Sequence, residues 1–489
     1  MRRTLSYVPA PGHLLLLLLA ILMRLPALLF PDYFLPEESL FLACAERISG
    51  DYALYADAWY EGPPLLVWLY SGFFSLFGSW AISAIRISTA LYVYLLAAMF
   101  QGTLVLQRLQ ERRRYTPGLF LVVLLSLPWY GLSLSTALLS LLPLGYMMLL
   151  ILKLTQDEVA SRSSIFYAGL LLAALIMTDY SGIVLIIASL IAYIFLRGFR
   201  VPELVIGVIG MLLGLFMVIA WLYLHDALGS YVDIGLLSYF RYIFSKAPSP
   251  FDPDLGVILT DIILNYGPWM ILGGFGLFHF RVKLFSYSIV GRRIEAMMLI
   301  WLIFGTIILI FSGSRLQIHD LALIAAPIAF YAARAWDLTK GIWLRMLSWG
   351  MIIIPAMLLY LDMFSAWQGS WTVLPGDFRA WIGVNYLEIK DLEKIRTLQL
   401  PETSSLWVAD PTAQLYPALD KKPASPFVDF RSAFHKIPYI NPDLARSSIA
   451  DAYLFETFAQ DMPDKLSLTR RHRSGASTAR FFPTQFRGL

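Results

Sequence analysis

The feature that most restricts this chain is a series of apolar runs, near 13–30, 84–106, 117–132, 134–152, 165–178, 181–196, 203–224, 257–280, 295–312, 317–335 and 343–362. A helix that crosses a bilayer needs about 20 predominantly apolar residues. The runs therefore read as about eleven transmembrane helices, several of them short, notably the pair 165–178 and 181–196. Composition agrees: 58% of the 489 residues are hydrophobic and 15% are charged, whereas soluble chains carry about 25% charged residues. The apolar surplus has to face lipid. A net charge of +4 gives no reason to expect a nucleic-acid partner. The one cysteine, Cys44, excludes an internal disulfide and a cysteine-type zinc site, and its apolar surroundings make it a packed residue rather than a nucleophile. The run after Met1-Arg2-Arg3 is not followed by a small-residue cleavage site, so it reads as the first span rather than a signal peptide.

One further run, Pro63 to Gly78 (PPLLVWLYSGFFSLFG), is shorter than a span. Basic residues decide its placement, because they concentrate on the cytoplasmic side of a membrane protein. If this run lies along the surface, the basic clusters between spans all fall on one side. These are Arg108 with Arg112 to Arg114, Lys153 with Arg162, Arg197 with Arg200, Arg281 with Lys283 and Arg292 with Arg293, and Lys340 with Arg345. If it crosses, the later clusters move outside. The run therefore reads as an interfacial helix, with Pro63 or Pro64 in its first turn. The N-terminus is then inside and the C-terminus outside. The outer face receives a first loop over 31–83, a second loop from His225 to about Leu255, and a tail.

From about Trp371 charges and prolines become frequent and no span follows. The chain divides into a transmembrane domain, 1–370, and an extracytoplasmic domain, 371–489. In the latter, Ser405 to Asp410 reads as a strand, Pro411 to Leu419 as a short helix and Pro426 to Phe430 as a second strand, a small α/β unit. The basic, Ser/Thr-rich end after Leu466 reads as poorly ordered. No internal repeat, P-loop or dinucleotide fingerprint is present in the sequence.

The first outer loop carries most of the chemistry. Leu35-Pro36-Glu37-Glu38 opens a helical run, Ser39 to Ile48, that stops at Ser49-Gly50. A proline followed by two acids suits a helix start, where acids meet the positive end of the helix dipole. A carboxylate at the membrane surface also serves as a general base or positions a metal ion. Both readings of Glu37 and Glu38 stand. Asp179, in the outer turn Thr178-Asp-Tyr-Ser-Gly182, is either a solvated turn residue or a second acid. Arg315 and His319, at the outer start of the tenth span, are either loop-end cations paired with Asp320 or ligands for a phosphate. Arg241 and Lys246 in the second loop are weaker phosphate candidates, and Arg24, inside the first span, needs an internal partner.

The stretch PEESLFLACAERISGDYALYADAWYEGPPLLVWLYSGFFSLFGSWAISAIRIST resembles the first external loop of the GT-C glycosyltransferases, most of all the branch of the protein O-mannosyltransferases and the lipid A aminoarabinose transferase. That family shows an Asp-Glu pair, an alanine-containing helix, a glycine-aromatic turn, a Lys-Pro-Pro-Leu-type segment, an apolar run ending in Phe-Gly and an arginine at the second span. Here the matching residues are Glu37-Glu38, Ala45, Gly50-Asp51-Tyr52, Gly62-Pro63-Pro64-Leu65, Phe77-Gly78 and Arg86. The likeness is clearest over about residues 13–110. The tail, with Val408-Ala-Asp-Pro and Lys422-Pro-Ala-Ser-Pro, is similar to that of some bacterial members.

The resemblance implies a GT-C-like polytopic α-helical fold, with interfacial helices in the first outer loop and a small outer α/β domain, in a bacterial inner membrane. It implies transfer of a sugar from a polyprenyl-phosphate donor to a lipid, glycan or protein acceptor on the outer face. In that reading Glu37, Glu38 and Asp179 are the catalytic candidates, and Arg86, Arg315 and His319 bind the donor phosphate. The metal is left open, a divalent ion being the one cofactor considered. Two departures stand out. Glu37 replaces the family aspartate and extends the carboxylate by about 1.5 Å. Gly62 stands where a lysine often holds the donor phosphate. Relatives also often carry an acid near Gly131 to Thr136, where this chain has none. These departures keep open a GT-C-fold scaffold that has lost catalysis. A transporter is the third reading, although no inverted repeat is visible.

Overall fold

The computed structural model describes residues 11–29, 36–49, 52–58, 60–105, 111–126, 133–156, 161–240, 255–282, 289–312, 318–338, 405–408, 452–456 and 467–470, together with 346, 350 and 357. The helices are α1 (Pro11–Met23), α2 (Leu25–Leu29), α3 (Pro36–Ile48), α4 (Leu65–Phe77), α5 (Ala81–Val105), α6 (Glu111–Leu125), α7 (Thr136–Gln156), α8 (Arg162–Thr178), α9 (Gly182–Arg197), α10 (Val201–Leu224), α11 (Leu255–Val282), α12 (Ile289–Ser312) and α13 (Ala322–Leu338). The first ten apolar runs coincide with these helices, and the eleventh, 343–362, lies outside the described residues. Among the described residues, four stretches are long and apolar enough to cross a membrane: Leu65–Gly102, Thr136–Thr155, Val201–Leu224 and Arg292–Ile310. The first of these is two helices. Gly78, at φ 53°, ends α4, and a 3-10 turn, Gly78–Trp80, leads into α5. A positive φ is a conformation that glycine adopts without a Cβ penalty.

The chain is a polytopic helical membrane protein with a buried centre at α13. Its sequence, ALIAAPIAFYAARAWDL, is apolar around most of its circumference, and nearly every residue from Leu321 to Ala335 is buried. A helix that is hydrophobic all round belongs in a core. Alanines let α6, α11 and α12 approach it closely. Buried polar groups pin the contacts: Trp301 Nε1 donates to Leu323 O at 2.7 Å, Tyr331 Oη to Glu295 O at 3.2 Å, and Arg334 is ion-paired with buried Glu295. Away from water each such group has to be satisfied internally.

At the opposite extreme, α10 packs chiefly on α8 and has Val205, Val208, Leu212, Phe216 and Met217 exposed. The contact with α8 is close. A Cβ at Gly169 would stand 2.0 Å from Gly207 O, and one at Gly210 would stand 2.3 Å from Phe166 O. Small residues that bring backbones together are a common means of helix association in lipid, where burial of apolar surface gives little drive.

In the tail, β1 (Ser405–Val408), β2 (Ala452–Glu456) and β3 (Ser467–Arg470) form a sheet in that order. β1 pairs with β2 in parallel, with Leu406 opposite Tyr453, and β2 pairs with β3 antiparallel. The expected first strand is therefore present. The helix and second strand expected over 411–430 lie outside the described residues. Part of the end expected to be irregular, Ser467–Arg470, is an edge strand.

Replacing Gly169 by leucine forces α8 and α10 apart. An overpacked contact costs about 1–3 kcal/mol, so the variant should unfold at lower temperature in detergent. Substituting Gly229, which has open space around its Cβ position, should leave the midpoint near wild type.

Candidate functional site

Helix α3 begins at Pro36, which supplies a preset φ at the first helical position. Glu37 and Glu38 follow in its first turn. The side chain of Glu37 lies outside the described residues. Glu38 is 2% exposed, and its Oε1 accepts from Nη1 of Arg86, which is 1% exposed, in α5. The ion pair joins the first outer loop to the second apolar run of the sequence. Two site residues expected from the motif are thus brought together, but as partners of each other.

Around this pair the loop is tied down on several sides. Tyr70, fully buried in α4, donates to Leu134 O at 3.1 Å, ahead of α7. Phe41 lies 6.2 Å from the Tyr70 ring and 5.9 Å from Tyr60. Between α3 and α4 the chain makes a tight turn: Tyr55 N donates to Ala58 O at 2.9 Å, and Ala53 N donates to Asp57 Oδ2 at 2.7 Å. Tyr55 sits at φ 74°, an uncommon conformation for an aromatic residue, and its hydroxyl donates to Gly62 O at 2.6 Å. A strained backbone of this kind persists only where the surroundings over-determine it.

That same turn explains Gly62. A Cβ there would stand 2.7 Å from the Tyr60 hydroxyl and 2.9 Å from its ring. Tyr60 is 6% exposed and packed between Phe41 and Tyr55, so it has little room to retreat. The space that a longer side chain at 62 would need is occupied by a phenol.

Asp179 closes the turn between α8 and α9. Its Oδ1 accepts from Ser181 N at 2.8 Å and its carbonyl from Gly182 N at 2.9 Å, a short polar residue bonding its own turn. The neighbouring Tyr180 reaches the outer loops. Its hydroxyl donates to Tyr231 Oη at 3.2 Å, and Tyr231 packs edge-on against Tyr55 at 5.1 Å. Tyr239 and Phe240 complete the group, 4.8 Å and 6.0 Å from Tyr180. Tyr231–Ser238 is a π-helix, a form that occurs often at functional sites. Burial pushes the ionisation of the Tyr55, Tyr180 and Tyr231 phenols upward, and neighbouring phenols push Tyr55 and Tyr180 further. The turn that carries Asp179 is therefore packed onto the first outer loop through tyrosines.

His319 lies in a 3-10 turn, Ile318–Leu321, and its side chain, like Arg315, Arg241 and Lys246, is outside the described residues. Among the described residues, no three His, Cys, Asp or Glu side chains cluster to hold a metal ion. The tyrosine cluster was not legible in the sequence. Its members are scattered over 55–240 in loops without periodicity, and only the excess of Tyr in the outer segments hints at it.

No protein-family model matches the chain, and no curated protein matches its sequence. Solved structures do match. ArnT from Cupriavidus metallidurans in the apo state superposes with a TM-score of 0.58 at 15% identity, covering 91% of this chain and 92% of that one. The same protein bound to undecaprenyl phosphate gives 0.56 at 15% identity, with the same coverage. The Archaeoglobus fulgidus oligosaccharyltransferase in the apo form gives 0.50 at 13% identity, over 92% of this chain and 70% of that one.

The pair Glu38–Arg86 is testable on its own. Removing one member of a buried ion pair costs about 3–5 kcal/mol, while replacing both by apolar residues is often neutral. Glu38→Leu and Arg86→Met should each lower the unfolding midpoint sharply, and the double variant should recover most of the loss. Gly62→Ala should cost about 1–3 kcal/mol by overpacking, and that cost should vanish in a Tyr60→Leu background.

Over nine-tenths of its length, the chain has the fold of the GT-C membrane glycosyltransferases.

Proposed function

We propose that this protein is a glycosyltransferase that moves a sugar from a polyprenyl-phosphate donor to an acceptor hydroxyl on the outer face of the membrane. The observation that carries the reading is the first outer loop. Its order of acidic helix start, Gly-Pro-Pro-Leu segment and arginine resembles that of GT-C enzymes, and Glu38 and Arg86, distant in sequence, meet in one buried pair. The fold likeness to ArnT, one structure of which holds undecaprenyl phosphate, supports a lipid-linked donor. The distribution of basic residues supports an N-terminus inside and a C-terminus outside, and the resemblance supports a bacterial inner membrane.

In the mechanism, Glu37 is the general base. It takes the proton of the acceptor hydroxyl as that oxygen attacks the anomeric carbon. The bond from that carbon to the phosphate oxygen breaks, and its electron pair leaves with the polyprenyl phosphate, inverting the configuration. Glu38 pairs with Arg86 and so fixes the first turn of α3, so that Glu37 is the carboxylate of the two left for chemistry. Arg86 contributes field at the phosphate, and Arg315 and His319 supply direct contacts. Asp179, held in its turn beside Tyr180, is the second acid. The acceptor is a lipid, a glycan or a protein.

A catalytically silent scaffold on the same fold is the second reading. One observation favours it: Tyr60 fills the space that a lysine at position 62 would occupy. Glu37→Gln separates the two. A general base contributes typically 10²–10⁴-fold. With an undecaprenyl-phosphate-linked sugar as donor, release of undecaprenyl phosphate should fall by about 10²-fold or more, with unchanged expression and unfolding midpoint. Wild-type protein that binds such a donor and never releases the lipid phosphate would establish the scaffold.

A further inference from the structure

The first apolar run contains an arginine, and the structure gives it an unusual setting. Arg24 separates α1 from α2 and is 1% exposed. Its Nη2 donates to Leu125 O at 3.1 Å, at the end of α6. Its Nε and Nη1 are buried and, among the described residues, without a hydrogen-bond partner. The hydroxyl of Ser126, next to Leu125, is buried and unpartnered in the same sense. The charges that act on Arg24 are those of Arg86 and Glu38. Glu38 is engaged by Arg86.

A buried guanidinium with open donors and a like charge beside it is costly unless an anion completes the set. The position is also telling. It lies where the break between α1 and α2 meets the end of α6. On the loop side, position 62 offers no cation, and Tyr60 closes the space. The first span offers a further source of positive charge in Arg24. Guanidinium groups suit phosphate because they stay charged in apolar surroundings and present several donors at once.

We propose that Arg24 is a phosphate-binding residue of this protein: with Arg86 it forms a cationic floor under the first outer loop that takes the phosphate of a polyprenyl phosphate, supplying from the first span the charge that Gly62 cannot. This rests on the lipid-phosphate donor read above.

The test uses the full chain in nanodiscs and compares its affinity for undecaprenyl phosphate with that for undecaprenol, which lacks the phosphate. In Arg24→Gln the affinity for the phosphate lipid should fall at least tenfold, while that for the alcohol stays unchanged. Arg24→His gives a second, independent readout. Its preference for the phosphate lipid, divided by that of wild type, should decline as pH rises from 5.5 to 8 and the imidazole loses its proton. A folded Arg24→Gln protein with wild-type affinity, or a flat profile for Arg24→His, would overturn the inference and leave the donor reading intact. Wild type that does not distinguish the two lipids would overturn both. Failure of both variants to fold would mark Arg24 as a structural residue and overturn the inference alone.

Discussion

The outer part of this molecule depends on one interaction, the ion pair between Glu38 and Arg86. Both side chains are almost wholly removed from solvent, so each is held by the penalty that would follow from losing the other. Such a pair need not add net stability. What it fixes is register. It sets the rotation of α3 at the first turn and its height against α5, and from that follow the paths of the turn at Tyr55, of α4 and of Gly62. The helices beneath are held differently, by close backbone approach and by side chains that pin carbonyl oxygens.

The likeness to ArnT and to the oligosaccharyltransferase, at 13–15% identity, is one of fold. In this chain the acidic start of α3 is held to α5 by the Glu38–Arg86 pair. Position 62 is a glycine whose side-chain space is taken by the buried Tyr60 phenol, and the buried guanidinium groups of Arg24 and Arg86 belong to the apolar runs on either side of the loop.

Much of this was legible in the sequence, for reasons that differ by element. The spans were readable because lipid demands long apolar runs, and α1, α2 and α5 to α13 fall where those runs lie. The start of α3 was readable because proline and acids suit a helix N-terminus. The fate of Glu38 was not, since its partner lies 48 positions away and pairing across that distance leaves no local signal. The break at Gly78 was hinted at by Phe-Gly, but the same apolar stretch passes a length test as one helix. In the tail, the strand at Ser405 followed from its run of Leu, Trp and Val, whereas β2 and β3 are short segments that become strands only through pairing, β2 with β1 and β3 with β2.

The tyrosine group between the two outer loops has a consequence of its own. Burial disfavours the phenolate of Tyr55, Tyr180 and Tyr231 and raises the ionisation of each above the ordinary phenol range. Contacts made of neutral rings and shared hydroxyls do not respond to acidity, and ionic strength has no charge there to screen. Where Tyr55, Tyr180 and Tyr231 meet, the segments are joined by ring packing and a shared hydroxyl rather than by opposite charges.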